Sequence, residues 1–263
     1  MKLNIIEEKK NPSVAVITPT IGKTTLKNAM LSVANQTYKN LHHYIIVDGP
    51  EFFETAFENA TVSHKDSKVS FHVTPINTGA GGFYGHRIYA AYPHLVNEDY
   101  VVFLDEDNWF SPEHVEALVT LIEEKKLDWA YSLRDVYVQD LRGPKFLAHD
   151  KCESIGRWPI FFTQNLPDNQ KDYLVDTSSY CFKREFLIKV CNHWHSGWGG
   201  DRRFFRIIHK EIKHNNFETT GLHTLHYELP DMYKAYGGDL KFFERGNQKI
   251  LEFYNGKYPW EKA

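Results

Sequence analysis

Apolar and polar positions alternate along the first 110 residues in a way that spells out a fold. Val14-Ala15-Val16-Ile17 is a continuous apolar run, the signature of a strand buried on both faces. Leu26, Ala29, Met30, Val33 and Ala34 then recur at helical spacing. His43 to Val47 is a second strand-like run, ending at Asp48-Gly49-Pro50, and Val69 to Val73 is a shorter one, ending near Asn77-Thr78-Gly79. Tyr100 to Leu104 is the strongest, and it runs directly into Asp105-Glu106-Asp107. Ser111-Pro112 reads as an N-cap and first-turn pair ahead of a helix carrying Val115, Leu118, Val119 and Ile122 on one face. Strand, helix, strand, strand, helix predicts an α/β fold with a mostly parallel central sheet flanked by helices. Ligands of such sheets bind beyond the carboxyl ends of the strands. Thr18-Pro19-Thr20, Asp48, Asn77 and Asp105-Asp107 all stand at those ends, although turns are rich in such residues for structural reasons too.

Beyond residue 128 the pattern loosens. Strands are expected near 129–138, 158–163 and 174–182. Leu240, Phe243, Ile250, Leu251 and Tyr254 predict an amphipathic C-terminal helix, whose polar face, carrying Asp239 and Glu244, suits packing on the body rather than on a membrane. The expected division is a nucleotide-binding half over 1–110, an acceptor-binding half of the same domain over 111–235, and a helical extension over 236–263.

Bulk composition removes several function classes. A net charge of -3 with no block of like charge argues against a nucleic-acid partner. Cys152, Cys181 and Cys191 form an odd, sparse set without framework spacing, so a disulfide-built secreted domain is not expected. MKLNIIEEKK lacks the apolar segment of a signal peptide, and no run approaches the ~18 residues that span a bilayer. The expectation is a cytoplasmic protein, with peripheral contact at the inner face of the membrane left open.

The chemistry concentrates in three segments. In LDEDNWF, Asp105 and Asp107 stand two apart at a strand end, where alternate side chains point the same way. Two adjacent carboxylates repel, and Mg²⁺ or Mn²⁺ relieves the repulsion while also binding substrate phosphates. An acidic first turn ahead of a helix is the competing reading. In SGWGGDRRFF, Gly197, Gly199 and Gly200 leave backbone open to a ligand, and Trp198 offers a flat apolar face to a sugar ring. Asp201 suits a general base facing an acceptor hydroxyl, or else is a helix cap. In TTGLHTLHYEL, either His223 or His226 could complete a metal shell. A spacing of three puts them on opposite faces of a regular strand, and His223 is the choice.

Other signals fail. Ile21-Gly22-Lys23-Thr24 lacks the preceding glycine of a phosphate-binding loop. The glycines of NTGAGGFYG miss the dinucleotide fingerprint by one place. That stretch better suits close backbone approach to a diphosphate or sugar, with Arg87 one turn on. Cys191, His193 and His195 lack a second ligand pair for zinc, and no Ser-His-Asp pattern stands out.

Three stretches, VAVITPTIGKTTLKNAMLSVANQTYKNLHHYIIVDG, NTGAGGFYGHR and LDEDN, together resemble glycosyltransferase family 2, of the GT-A fold. GWGGD is similar to the acceptor-side motif of the β-1,4-galactosyltransferases, where Glu-Asp usually follows the glycines; here Asp201 follows directly and Arg202 comes next. The family usually reads VDDGS where this chain reads VDGPE, so only Asp48 carries over. The resemblance implies an inverting transferase that uses a nucleotide-sugar donor, UDP being the commonest nucleotide, and Mn²⁺ or Mg²⁺. Thr18, Pro19, Thr20 and Asp48 would hold the nucleoside. Asn77, Gly79 and Arg87 would line the diphosphate or sugar, and Asp105, Glu106 and Asp107 would serve the sugar-nucleotide and metal. Asp201 would be the base, His223 a late metal contact, and Trp198, Gly199, Gly200 and Arg202 the acceptor side. The acceptor would be a glycan or a lipid-linked precursor. A nucleotidyltransferase with paired carboxylates, or a non-catalytic sugar-binding protein, are the alternatives.

Overall fold

The computed structural model describes residues 11–60, 68–151, 175–229, 240–258 and 260–261. The strand expected near 158–163, Cys152, Asp239 and the first ten residues lie outside them.

The apolar runs become the sheet. β1 (Val14–Thr20), β2 (Leu41–Val47), β3 (Lys68–Val73) and β4 (Tyr100–Phe103) pair in parallel, in the order β3-β2-β1-β4. Between them lie α1 (Leu26–Ala34), α2 (Phe53–Asn59) and α3 (His86–Ala91). Every residue of β1 and β4 is buried, because helices cover both faces of the sheet. One cluster, with Ile17, Tyr89, Phe103, Trp129 and Trp194, fills one side; Val16, Val33, Leu118 and Ile122 fill the other.

After β4 come a short β5 (Trp109–Phe110) and α4 (His114–Lys125). α4 begins later than the Ser111-Pro112 cap implies. The Ser111 hydroxyl lies 2.8 Å from His226 Nε2, so it holds a strand rather than a helix end.

The second half is where the parallel expectation stops. β8 (Tyr180–Lys183) inserts antiparallel between β4 and β6 (Trp129–Asp140), and β7 (Gly143–Asp150) forms a hairpin with β6. β9 (Phe217–Glu228) runs parallel to β6 and carries β5 on its far edge. The result is a single α/β sheet, parallel in its first half and mixed in its second.

α5 (Arg184–Val190) follows β8, and α6 (Gly200–Arg206) follows the glycine-rich loop. α7 (Leu240–Phe253) packs on β7: Phe243 joins Val136, Ala148 and Leu229, and Ile250 reaches the main core. Among the described residues, no helix is long and apolar enough to cross a membrane.

Candidate active site

The three consecutive acids after β4 have three different environments. Asp105 points inward, with part of its surface still open to solvent. Tyr89 donates its hydroxyl to Oδ1 at 2.5 Å, and the Ser178 hydroxyl lies 3.4 Å from Oδ2. The Asp105 N–H in turn donates to Ser178 Oγ at 3.0 Å. Burial, then the charges of Asp107 and Asp176, push the Asp105 carboxyl up to about 7. Glu106 turns back to the β1 loop, accepting from the Thr20 hydroxyl (2.5 Å), the Lys23 N–H (3.0 Å) and the Ile21 N–H (3.3 Å). Burial raises its carboxyl as well, against the pull of those donors. Asp107 points outward and pairs with Lys23 Nζ at 2.9 Å. Burial works against the Lys23 charge, yet Asp107, Glu106 and Asp105 outweigh it and hold the ammonium charged.

A second layer, which the sequence reading missed, lies behind Asp105. Asp176 caps the short turn Thr177–Ser179 by accepting from Ser178 N at 2.9 Å, and that turn delivers the hydroxyl bound to Asp105. Arg134, inside β6 and nearly dry, donates through Nη1 to Asp176 (2.5 Å) and through Nε and Nη2 to Asp150 (2.9 and 2.8 Å). Asp176 is still raised: burial is the largest cause, Arg134 opposes it, and Asp201 adds repulsion. Asp107 thus repels Asp105, Asp105 repels Asp176, and Asp176 repels Asp201. Acids nearly a hundred residues apart form one electrostatic chain around the end of β4.

The glycine-rich loops close the same rim. Asp48, after β2, accepts from Thr78 N and Oγ1 and from Gly79 N, each at 2.7 Å, and so staples the loop after β3. Asn77 Oδ1 accepts from Ala80 N at 2.9 Å within that loop. A Cβ on Gly79 would stand 2.5 Å from Tyr84 O and 2.8 Å from Asp48 Oδ2, so only glycine fits. Gly85 lies against Pro19. Across the gap, His86 Nδ1 bonds Ser196 O at 2.8 Å, and a Cβ on Gly200 would meet Ser196 Oγ at 2.5 Å and His86 Cε1 at 2.6 Å. The loop carrying Asp201 is therefore docked on the loop carrying Asn77 and Gly79. Arg87 donates to Thr78 O at 3.2 Å and stacks on Phe83. Trp198 stands 64% exposed at the mouth, with the Arg202 guanidinium 5.2 Å from its ring centroid, and Gly199 turns the chain there at φ +77°. Asp201 sits in the first turn of α6, its Oδ1 taking the Arg202 N–H at 2.8 Å.

Two expected residues lie elsewhere. Thr18 is fully buried, its hydroxyl 2.9 Å from His43 Nε2, which ties it to β2 within the sheet. His223 does not meet the acids after β4. Its Nδ1 lies 3.0 Å from Asp135 Oδ1, beside His149. His226 turns to the same face, its ring 5.2 Å from that of Tyr137. The opposite-face expectation fails because β9 bulges: Leu133 pairs with His223 but Arg134 with Leu225, so two residues of β9 oppose one of β6.

With that geometry in place, comparison with known proteins is decisive at the family level. A family model described as Glycosyl transferase family 2 matches residues 15–191. The chain belongs to glycosyl transferase family 2. The match begins in β1 and ends just past α5, so it takes in the whole acid chain except Asp201. Solved structures of TarS from S. aureus share the fold. Residues 1–349 of TarS with UDP-GlcNAc align at TM-score 0.56 and 11% identity over 83% of this chain and 59% of that one. The same TarS piece with UDP gives 0.51 and 14%, over 84% and 62%. This chain thus spans less than two thirds of the TarS chains, and at such identity the likeness speaks for the fold alone. No curated protein matches the sequence.

Proposed function

We propose that this family member is an inverting glycosyltransferase. It moves a hexose or N-acetylhexosamine from a nucleotide-diphosphate sugar, with UDP as the nucleotide, to a hydroxyl of a glycan or lipid-linked acceptor. The observation that carries the reading is that Asp105 and Asp107 stand at the end of β4, tied through Ser178 to the turn capped by Asp176, beside the docked loops that carry Gly79 and Asp201. Two of the TarS structures are complexes with UDP-GlcNAc and with UDP, which favours UDP here.

The residues fall into roles. Asp48 staples the loop after β3 through Thr78 and Gly79, Gly81 and Gly82 leave open space beside the backbone where a donor diphosphate would lie, and Arg87 offers positive charge nearby. Asp105 and Asp107 are hard oxygen donors crowded enough that one is pushed towards the neutral form, a set that suits Mg²⁺ or Mn²⁺. The bound cation would supply charge neutralisation to the departing diphosphate. Lys23 pairs with Asp107 and is the ligand's natural competitor there. Trp198 and Arg202 would hold the acceptor sugar. Asp201 would take the proton as the acceptor oxygen attacks the anomeric carbon, so no covalent intermediate on the protein is required.

The test is a panel of nucleotide sugars with Mn²⁺ or Mg²⁺, reading the free nucleotide diphosphate. Asp201→Asn should lose ~10²–10⁴-fold in turnover while donor binding persists. Near-normal turnover in that variant would remove the base from the scheme. Full activity in excess EDTA would remove the cation. Release of pyrophosphate from a nucleoside triphosphate would replace the transferase with a nucleotidyltransferase.

A further inference from the structure

The Asp135, His149 and His223 cluster is not explained by the sugar-transfer scheme. Its three side chains come from three strands, β6, β7 and β9, and their ligand atoms all lie within 4.8 Å of one another. Asp135 and His149 are direct cross-strand partners. His223 is brought to them by the β9 bulge, and bulges commonly re-aim a side chain at a site. The two imidazoles converge on one oxygen: His149 Nδ1 is 2.6 Å and His223 Nδ1 3.0 Å from Asp135 Oδ1. Their rings stand edge to face, centroids 4.8 Å apart, so the nitrogens aim at a common point without the rings stacking.

The site sits apart from the acid chain. Arg134, the neighbour of Asp135 in β6, points to Asp150 and Asp176; successive strand residues face opposite sides, so Asp135 opens on the other face of the sheet. The backbone beneath is fixed. Asn247 of α7 donates to the His149 carbonyl at 2.6 Å and accepts the Lys151 N–H at 2.8 Å, and β6, β7 and β9 are paired along their length.

We propose that Asp135, His149 and His223 form a transition-metal site for Zn²⁺, separate from the Asp105–Asp107 centre. Two imidazoles and one carboxylate are the donor set of a borderline-soft ion; Mg²⁺ and Ca²⁺ prefer all-oxygen shells. The ion bonds two ring nitrogens and one carboxylate oxygen: a ring that starts as imidazolium loses its Nδ1 proton to solvent, a neutral ring with the proton on Nδ1 carries it on Nε2 instead, and water takes the fourth position. His149 is largely exposed, which leaves a path for the ion and that water. The Arg134 carbonyl, 3.0 Å from His223 Nδ1, competes for that nitrogen, so the ring must break this contact when the ion enters. A bound ion joins the β6–β7 hairpin to β9 through side chains as well as backbone.

The experiment titrates the full chain with Co²⁺, then Zn²⁺, in excess Mg²⁺ to occupy the hard-oxygen acids. The expected result is one equivalent of Co²⁺ with the intense ligand-field absorption of a four-coordinate ion, displaced by Zn²⁺. Loss of a mere outer partner weakens metal binding by about 10–100-fold, so His149→Ala and Asp135→Asn should each weaken it by at least that order. His149 is exposed enough for its variant to fold, and far-UV circular dichroism checks this. Asp107→Ala should leave the equivalent intact. Absence of the four-coordinate spectrum, or binding unchanged by His149→Ala, overturns the site. Loss of binding in Asp107→Ala but not in His149→Ala would return the metal to the transferase centre.

Discussion

The carboxyl of Asp105 makes a prediction opposite in sign to the usual behaviour of an acid. Burial and the neighbouring Asp107 and Asp176 raise it to about 7, whereas in an unfolded chain it would titrate near 3.8, the ordinary value of an aspartate. Between those values the folded protein holds a proton that the unfolded chain has lost. Unfolding then releases a proton, and stability falls as pH rises through the window. Buried His114 works the other way, because burial lowers its imidazole to about 3 and stability rises with pH until the unfolded imidazole is neutral. The Asp105 contribution is therefore isolated by difference, against Asp105→Asn. An amide can still accept from the Tyr89 hydroxyl and stays uncharged, so the variant keeps the contact and loses the titration.

The magnitude follows from the window. From about pH 5.5 to about pH 7 the native carboxyl stays mostly protonated, and at ~1.4 kcal/mol per pH unit the wild type should lose ~2 kcal/mol relative to the variant. For a domain of this size that is ~5 °C in Tm. The assay is thermal or urea unfolding of both proteins in EDTA, at pH 5.5 and pH 8. Saturating Mn²⁺ should flatten the wild-type trend, because a cation at these carboxylates favours the ionised form. A wild-type-minus-variant difference that does not change with pH would refute the account of Asp105 as a buried acid held near neutrality.

Three further outcomes follow from the same geometry. Arg134→Met strands Asp150 and Asp176 without their shared cation, and breaking a buried pair from one side costs about 3–5 kcal/mol, read as a fall in the urea midpoint. Gly200→Ala drives a methyl into Ser196 Oγ and His86, so the loop carrying Asp201 should undock: kcat should fall by at least about tenfold with little change in the affinity for free nucleotide, measured by calorimetry. Trp198→Ala should raise the acceptor KM while leaving donor hydrolysis in the absence of acceptor unchanged, since the ring is exposed and carries little of the fold.

The parts of this molecule that were legible in the sequence are those governed by local rules. A run such as Val14–Ile17 has to be buried, and a polar group following it has to lie at the sheet's rim, so Asp48, Asn77 and Asp105 were visible at once. What escaped depends on pairings between distant segments. Nothing local says that β8 enters antiparallel, or that Tyr89 reaches Asp105. Arg134 did leave a signal. A charged residue inside the apolar stretch WAYSLRDV must be paired if that stretch is buried, and the pairing points to hidden carboxylates such as Asp150 and Asp176. Asp176-Thr177-Ser178 likewise has the composition of a capped turn. Lys23 was set aside with the incomplete phosphate-loop motif, and its actual partner is Asp107. His223 misled because strict alternation along a strand holds only where no bulge intervenes.

These misses share a cause that bears on the chemistry. A site that must hold several like charges cannot be assembled by neighbours in sequence alone, because their repulsion has to be offset from elsewhere in the chain. Here Asp105 and Asp107 come from one strand end, but Arg134 comes from β6, Ser178 from the turn before β8, Lys23 from the β1 loop and Tyr89 from α3. Among the described residues, Lys23 pairs with Asp107 and Arg134 with Asp150 and Asp176, while Asp105 carries the excess repulsion of Asp107 and Asp176. Asp105 answers the excess by moving towards its neutral form. A divalent ion delivered with a diphosphate would answer it differently, by charge. Under the proposed function, the repulsion among these acids is one that a divalent ion bound with the donor would relieve, so Mn²⁺ and nucleotide together should stabilise the fold through the rim of β4.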